Sequence, residues 1–152
     1  MNSSTTRTVR GQSGVALLEA LIGILIFSIG ILAVVGMQAT AIKTVSDSKY
    51  RSEAAYLANQ LLTQMWTDAG NVKSAEYAYN GTGTVPARLT AWVNDVSSRL
   101  PGTTTAKPVV AVSSETASGA VVQITVYWQL PEEASQGLPA RNYTLIASIF
   151  QN

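Results

Sequence analysis

Apolar residues follow three different rhythms along this chain. Between positions 15 and 37 they are nearly continuous: 18 of 23 residues are apolar, interrupted only by Glu19, Ser28, Gly23, Gly30 and Gly36. From 54 to 65 they recur at i, i+3 and i+4, with Ala54, Leu57, Ala58, Leu61, Leu62 and Met65 on one face. Lys49, Arg51, Glu53, Asn59 and Gln60 lie opposite, the pattern of a helix with one buried face. From 108 onward the spacing changes to alternation. Val122, Ile124, Val126 and Trp128 occupy one face of a strand over 120–130, flanked by β-branched 108–113 and a less cleanly alternating 142–150.

These rhythms predict an order of elements. One helix runs from about 15 to 69, roughly 80 Å at 1.5 Å per residue, and stops at Asp68-Ala69-Gly70-Asn71 with Gly70 as its C-terminal cap. Residues 77–83 read as a loop. A second helix over 86–100 places Leu89, Trp92, Val93, Val96 and Leu100 on one face, starts near Pro86 and ends at Pro101-Gly102. That face, with Trp92 at helical spacing, reads as core rather than as a ligand cleft. A Thr-rich connector at 103–107 leads to three antiparallel strands, joined by a hairpin connection at 114–119 and a surface loop at 131–140. Such a meander is too thin to be stable alone, and the amphipathic half of the long helix is the obvious cover. The fold class is α+β: a long N-terminal helix packed on a small antiparallel sheet.

Composition narrows the chemistry. The 152 residues contain no Cys and no His, only 12% are charged, and the formal net charge is +1. Disulfides, thiol nucleophiles, thiolate or imidazole metal sites and Ser-His-Asp catalysis are therefore out of reach. There is no electrostatic footprint for nucleic acid, and no calcium-loop spacing. Glu132-Glu133 is the one acidic pair that a carboxylate enzyme would need, but its Pro-, Ser- and Gly-containing surroundings predict a solvated loop without the burial that raises a catalytic pKa. No cofactor is called for.

The continuous apolar run is the informative segment. It spans about 35 Å as a helix, enough to cross a hydrocarbon core of about 30 Å, and is longer than the apolar region of a secretory signal peptide. Residues 1–14 carry Arg7 and Arg10 and no acid, which orients the N-terminus to the cytoplasm and the rest of the chain outward. Inside the run, Glu19 costs about 2.5–3.5 kcal/mol on insertion scales and needs a partner or a role. No basic residue lies within a turn or two after it, and Arg10 is nine positions before it, so a partner must come from another chain, from a new terminus or from interfacial water.

Arg10-Gly-Gln-Ser-Gly14 followed by Val15-Ala-Leu-Leu-Glu19 resembles the class III leader junction of type IV pilins and pseudopilins. The run from Leu18 to Gln38 is most similar to the PilV group of minor pilins, the type IV pilus modification proteins. The resemblance covers about residues 10–41. It implies that residues 1–14 are a leader, that a prepilin peptidase cuts after Gly14, and that Val15 becomes the N-methylated terminus. Val15 departs from the family's usual phenylalanine. It further implies that Glu19 neutralises the terminus of an adjacent subunit, that 15–41 forms the transmembrane and filament-core helix, that 42–69 continues it amphipathically, and that 70–152 is a periplasmic headgroup. Gly23, Gly30 and Gly36 become packing notches for neighbouring helices, with Gly36 a soft point in the helix.

The implied function is that of a minor pilin at the pilus tip or initiation complex, supporting pilus assembly, twitching motility and adhesion. Its implied partners are prepilin peptidase, other minor pilins, the major pilin, a tip adhesin and, before assembly, inner-membrane lipid. Two alternatives share parts of the pattern. A minor pseudopilin of a type II secretion system has the same N-terminal logic. The other is an exported or singly anchored periplasmic binding domain; the exported form follows if Ala39-Thr40-Ala41 is a cleavage site and the mature chain begins at Ile42.

Overall fold

The computed structural model describes residues 13–116 and 118–150. The chain divides into two compact units, Met1–Thr44 and Val45–Asn152. Helix α1, Ser13–Thr67, contributes to both.

In the first unit the described residues are all helical, and those from 14 to 44 are exposed. This is the one described helix long and apolar enough to cross a membrane. Its hydroxyls are absorbed by the helix itself. Ser28 Oγ donates to the Ile24 carbonyl at 2.7 Å, and Thr40 Oγ1 to the Gly36 carbonyl at 3.3 Å. Bonds of this i to i−4 kind leave no hydroxyl needing water in an apolar medium.

The second unit holds the hydrophobic core. From α1 it takes Ala54, Leu57, Ala58, Leu61 and Met65, all fully buried, with Leu62 packed at the margin. Helix α2 (Ser74–Tyr77) is a single short turn, and α3 (Thr90–Arg99) adds Trp92, Val93 and Val96. The sheet consists of β1 (Val109–Thr116), β2 (Gly119–Trp128) and β3 (Arg141–Phe150), in the order β1-β2-β3 and antiparallel throughout. On its inner face Val122, Ile124, Val126 and Trp128 of β2 are buried beside Val110 of β1 and Ile149 of β3. Burying each such side chain stabilises the fold by about 1.5–3 kcal/mol before entropy is subtracted. The chain is α+β, with the amphipathic part of α1 packed on a three-stranded antiparallel sheet.

Several local features differ from the sequence expectation. Gly70 is not a left-handed cap: the glycines with positive φ are elsewhere, and α1 instead gives way to a 3-10 turn at Ala69–Asn71. The second helix opens with a 3-10 turn, Ala87–Leu89, after Pro86. The 77–83 segment is a loop only after its first residues, because Tyr77 closes α2 and Tyr79 makes an isolated bridge to Val110. The β1–β2 hairpin is tighter than expected, with Thr116 opposite Gly119 and an irregularity between Ser113 and Thr116. Strand β3 alternates in burial along its whole length. Its period is hidden in the hydropathy pattern because Ile146 and Phe150 are apolar yet face outward, at 66% and 64% exposure.

The largest correction concerns 131–140. Residues Pro131–Ser135 form helix α4, started by proline at its first turn, and Glu133 is buried there. A Pro-led turn places Glu132 outward and Glu133 inward one step later, which a reading of loop composition cannot resolve.

Candidate functional site

Two sets of residues are candidates: the apolar segment of α1 and the polar clusters of the second unit. In the apolar segment, Gly14 and Val15 lie in the first turns of α1, and Val15 is 62% exposed. Glu19 is exposed as well and makes no ion pair with a described residue. At about 100° per residue, Val15, Glu19, Gly23 and Gly30 fall within a sector about 80° wide on one side of the helix, whereas Gly36 faces elsewhere. The carboxylate and two of the glycines therefore share one stripe. A Cβ built on Gly14, Gly23, Gly30 or Gly36 would meet nothing within 4 Å, so none of these glycines is required by packing within the chain. Around Gly30 the side chains of Phe27, Ile31, Val34, Val35 and Gln38 form a shallow groove. The helix passes through Gly36 without interruption. Arg7 and Arg10 lie outside the described residues.

The second unit is held by arginines that each gather two carboxylates. Arg88, just before α3, pairs with Asp68 at the end of α1 and with Glu76 of α2 at 3.0 Å. Asp68 also accepts hydrogen bonds from Asn71 Nδ2 at 2.7 Å and from the Tyr77 hydroxyl at 2.9 Å. The Arg88 guanidinium sits 5.9 Å from the centre of the Tyr77 ring, and its backbone carbonyl accepts from Gln64 Nε2 at 3.1 Å. The Asn71 bond, helped by Tyr77 and Arg88, holds the Asp68 carboxyl below the usual aspartate range against the opposing effect of burial. Burial, reinforced by Asp68, pushes the Tyr77 phenol up.

The other two clusters have the same design. Arg141, at the start of β3, donates to Glu133 Oε1 at 2.6 Å and pairs with Asp47 of α1. Arg99 bridges Asp95 at 2.7 Å and Glu53 at 3.0 Å, and covers the Tyr56 ring at 5.8 Å. At α2, the Ser74 amide donates to Glu115 Oε1 at 2.7 Å and its hydroxyl contacts the same oxygen. These bonds hold the Glu115 carboxyl low.

These arrangements tie elements of the second unit together. Glu132 and Glu133 do not form a dyad, since one is exposed and the other is committed to Arg141. Among the described residues no three His, Cys, Asp or Glu side chains gather as a metal site. Trp92, the residue weighed as a cleft wall, is 4% exposed and donates its Nε1–H to the Leu57 carbonyl of α1 at 2.8 Å. It is core, with a polar tip that finds a backbone partner.

Sequence reasoning missed the three arginine clusters. Arg88, Arg99 and Arg141 look in the sequence like ordinary solvated charges, and most of their partners lie far along the chain. Comparison of the chain with protein-family models, curated proteins and solved structures gives no match.

Proposed function

We propose that this protein is a PilV-like minor pilin, an assembly subunit rather than an enzyme. The observation that carries the reading is the apolar part of α1. Its side chains are exposed from 14 to 44, and it carries Glu19 on the same stripe as Gly23 and Gly30. Burial of so much apolar surface is strongly favourable, so this segment resides in lipid or against other helices. In lipid alone the carboxylate is an expense. Against the new amine of an adjacent subunit it becomes one half of an ion pair in a low-dielectric setting, where a missing partner is costly and a present one sets register.

In this reading residues 1–14, with Arg7 and Arg10, orient the precursor in the bacterial inner membrane with its N-terminus in the cytoplasm. Prepilin peptidase cuts after Gly14 and Val15 is N-methylated. Glu19 then pairs with a neighbour, and Gly23, Gly30 and Gly36 admit adjacent helices. The periplasmic headgroup meets other minor pilins, the major pilin or a tip adhesin. The subunit joins the pilus tip or initiation complex and supports assembly, twitching motility and adhesion.

Intact-mass and terminal-peptide analysis of protein from the native membrane tests processing, with a methylated Val15 as the expected start. A start at Ile42 would show a cleaved, exported domain instead. Glu19→Leu is expected to insert normally and to fail to enter filaments, and full incorporation of that variant would refute the register role. Gene neighbours distinguish a pilus from a secretion pseudopilus, which shares the N-terminal logic.

A further inference from the structure

Asn80 and Gly81 begin the loop that leaves the Tyr79 bridge. Tyr79 and Val110 exchange both backbone hydrogen bonds, at 2.8 and 2.7 Å, so the chain is anchored immediately before Asn80. The Asn80 side chain is exposed and folded forward over the next peptide. Its Oδ1 accepts from the Thr82 amide at 3.0 Å and from the Thr82 hydroxyl at 2.9 Å. Gly81 has φ +84°, a conformation that favours glycine, and its N–H has no acceptor among the described residues. A carboxamide with two donors on its oxygen thus immediately precedes a backbone nitrogen that has no acceptor among the described residues.

We propose that Asn80 is a self-modifying site, converted in the folded headgroup to aspartate and isoaspartate through a succinimide. The Gly81 nitrogen attacks Asn80 Cγ and loses its proton. A carbon–nitrogen bond forms, and the carbonyl electron pair moves onto Oδ1. The Thr82 N–H and hydroxyl already point at that oxygen and stabilise the charge as it develops, as an oxyanion hole does. Collapse breaks the bond from Cγ to Nδ2, which leaves as ammonia with the transferred proton. Water then adds to one of the two ring carbonyls: one opening restores the normal backbone with an aspartate, the other routes the backbone through the side-chain carbon.

No oxidant, metal or second protein is needed. The product places a new carboxylate in the depression that Asn80 and Gly81 share with Lys107, adding negative charge to the headgroup surface after folding. The site is independent of the pilin reading, because every group involved lies in the 45–152 unit.

The test follows full-length protein in detergent at mildly alkaline pH by peptide mapping, with isoaspartate detected enzymatically. Asn59, Asn71, Asn94 and Asn142 serve as internal references, and the same chain in urea supplies the unfolded rate. Asn80 is expected to convert first, and faster in the folded chain than in the unfolded one. Thr82→Ala, at an exposed position, is expected to slow the folded rate by removing one donor to the developing oxyanion, by less than the roughly hundredfold such a donor is worth in a water-excluded site, while Thr82→Ser retains most of it. Circular dichroism checks that both variants are folded. If Asn80 converts no faster folded than unfolded, or if Thr82→Ala leaves the folded rate unchanged, the site is an ordinary Asn-Gly pair and the proposal fails.

Discussion

Asp68 accepts from the Asn71 amide and the Tyr77 hydroxyl while lying against Arg88, and these contacts favour its ionised form. Its carboxyl titrates below the usual value in the folded chain. The stability it contributes is therefore complete above the unfolded aspartate value of about 3.9 and is lost as pH falls through the lower folded value. Tyr77 has the opposite dependence. Its folded pKa is raised, so its contribution is full below the ordinary tyrosine value and disappears as pH rises through the folded one. Replacing Asp68 with Asn is expected to lower stability at neutral pH and to flatten the acid limb of a pH–stability profile measured by urea unfolding. An unchanged acid limb would mean that the cluster is ornamental. None of this could be read from Asp68-Ala-Gly-Asn71, which looks only like a helix stop. Arg88 lies 20 residues away, and nothing in local periodicity ties the two together.

At the scale of elements, the apolar rhythms and the observed structure agree closely where burial is one-sided. The 54–65 stripe became the buried face of α1, and the alternating face of 120–130 became the centre of the sheet. Agreement is poorer where apolar residues face outward, as at Ile146 and Phe150, or where a polar residue is buried, as at Glu133. Hydropathy reports what a residue prefers, whereas burial depends on what packs over it. Gly119 shows a constraint of another kind. It opens β2 with φ +154°, and a Cβ there would stand 2.2 Å from the Ile149 carbonyl oxygen. That oxygen belongs to the backbone and cannot move aside cheaply. Gly119→Ala is expected to cost about 2–3 kcal/mol, the upper range for ordinary single substitutions, and to appear as a lowered unfolding midpoint. A cost near zero would mean that the hairpin end relaxes freely.

For the whole molecule, the division into an exposed apolar unit and a cored α+β unit implies separable effects of mutation. Gly30 is required by nothing within its own chain, and a better helix former there favours the isolated helix by about 1 kcal/mol. On the proposed pilin reading, Gly30→Leu is therefore expected to leave membrane insertion and the stability of the 45–152 unit intact while reducing incorporation into filaments, scored by immunoblot of sheared pili. Equal incorporation would show that Gly30 is not a packing notch.

The capacity of residues 15–37 to cross a membrane, the amphipathic continuation, and the order of helices followed by three strands were all determined by the sequence alone. Each is a repeat of apolar positions with a period set by local backbone geometry, so a short window contains it. Tertiary structure alone decided that Glu133 is buried on Arg141, that Arg88 joins α1 to α2, and that Tyr79 pairs with β1. Polar environments of this kind depend on direction and on partners brought together by the fold, and no period in the chain records them.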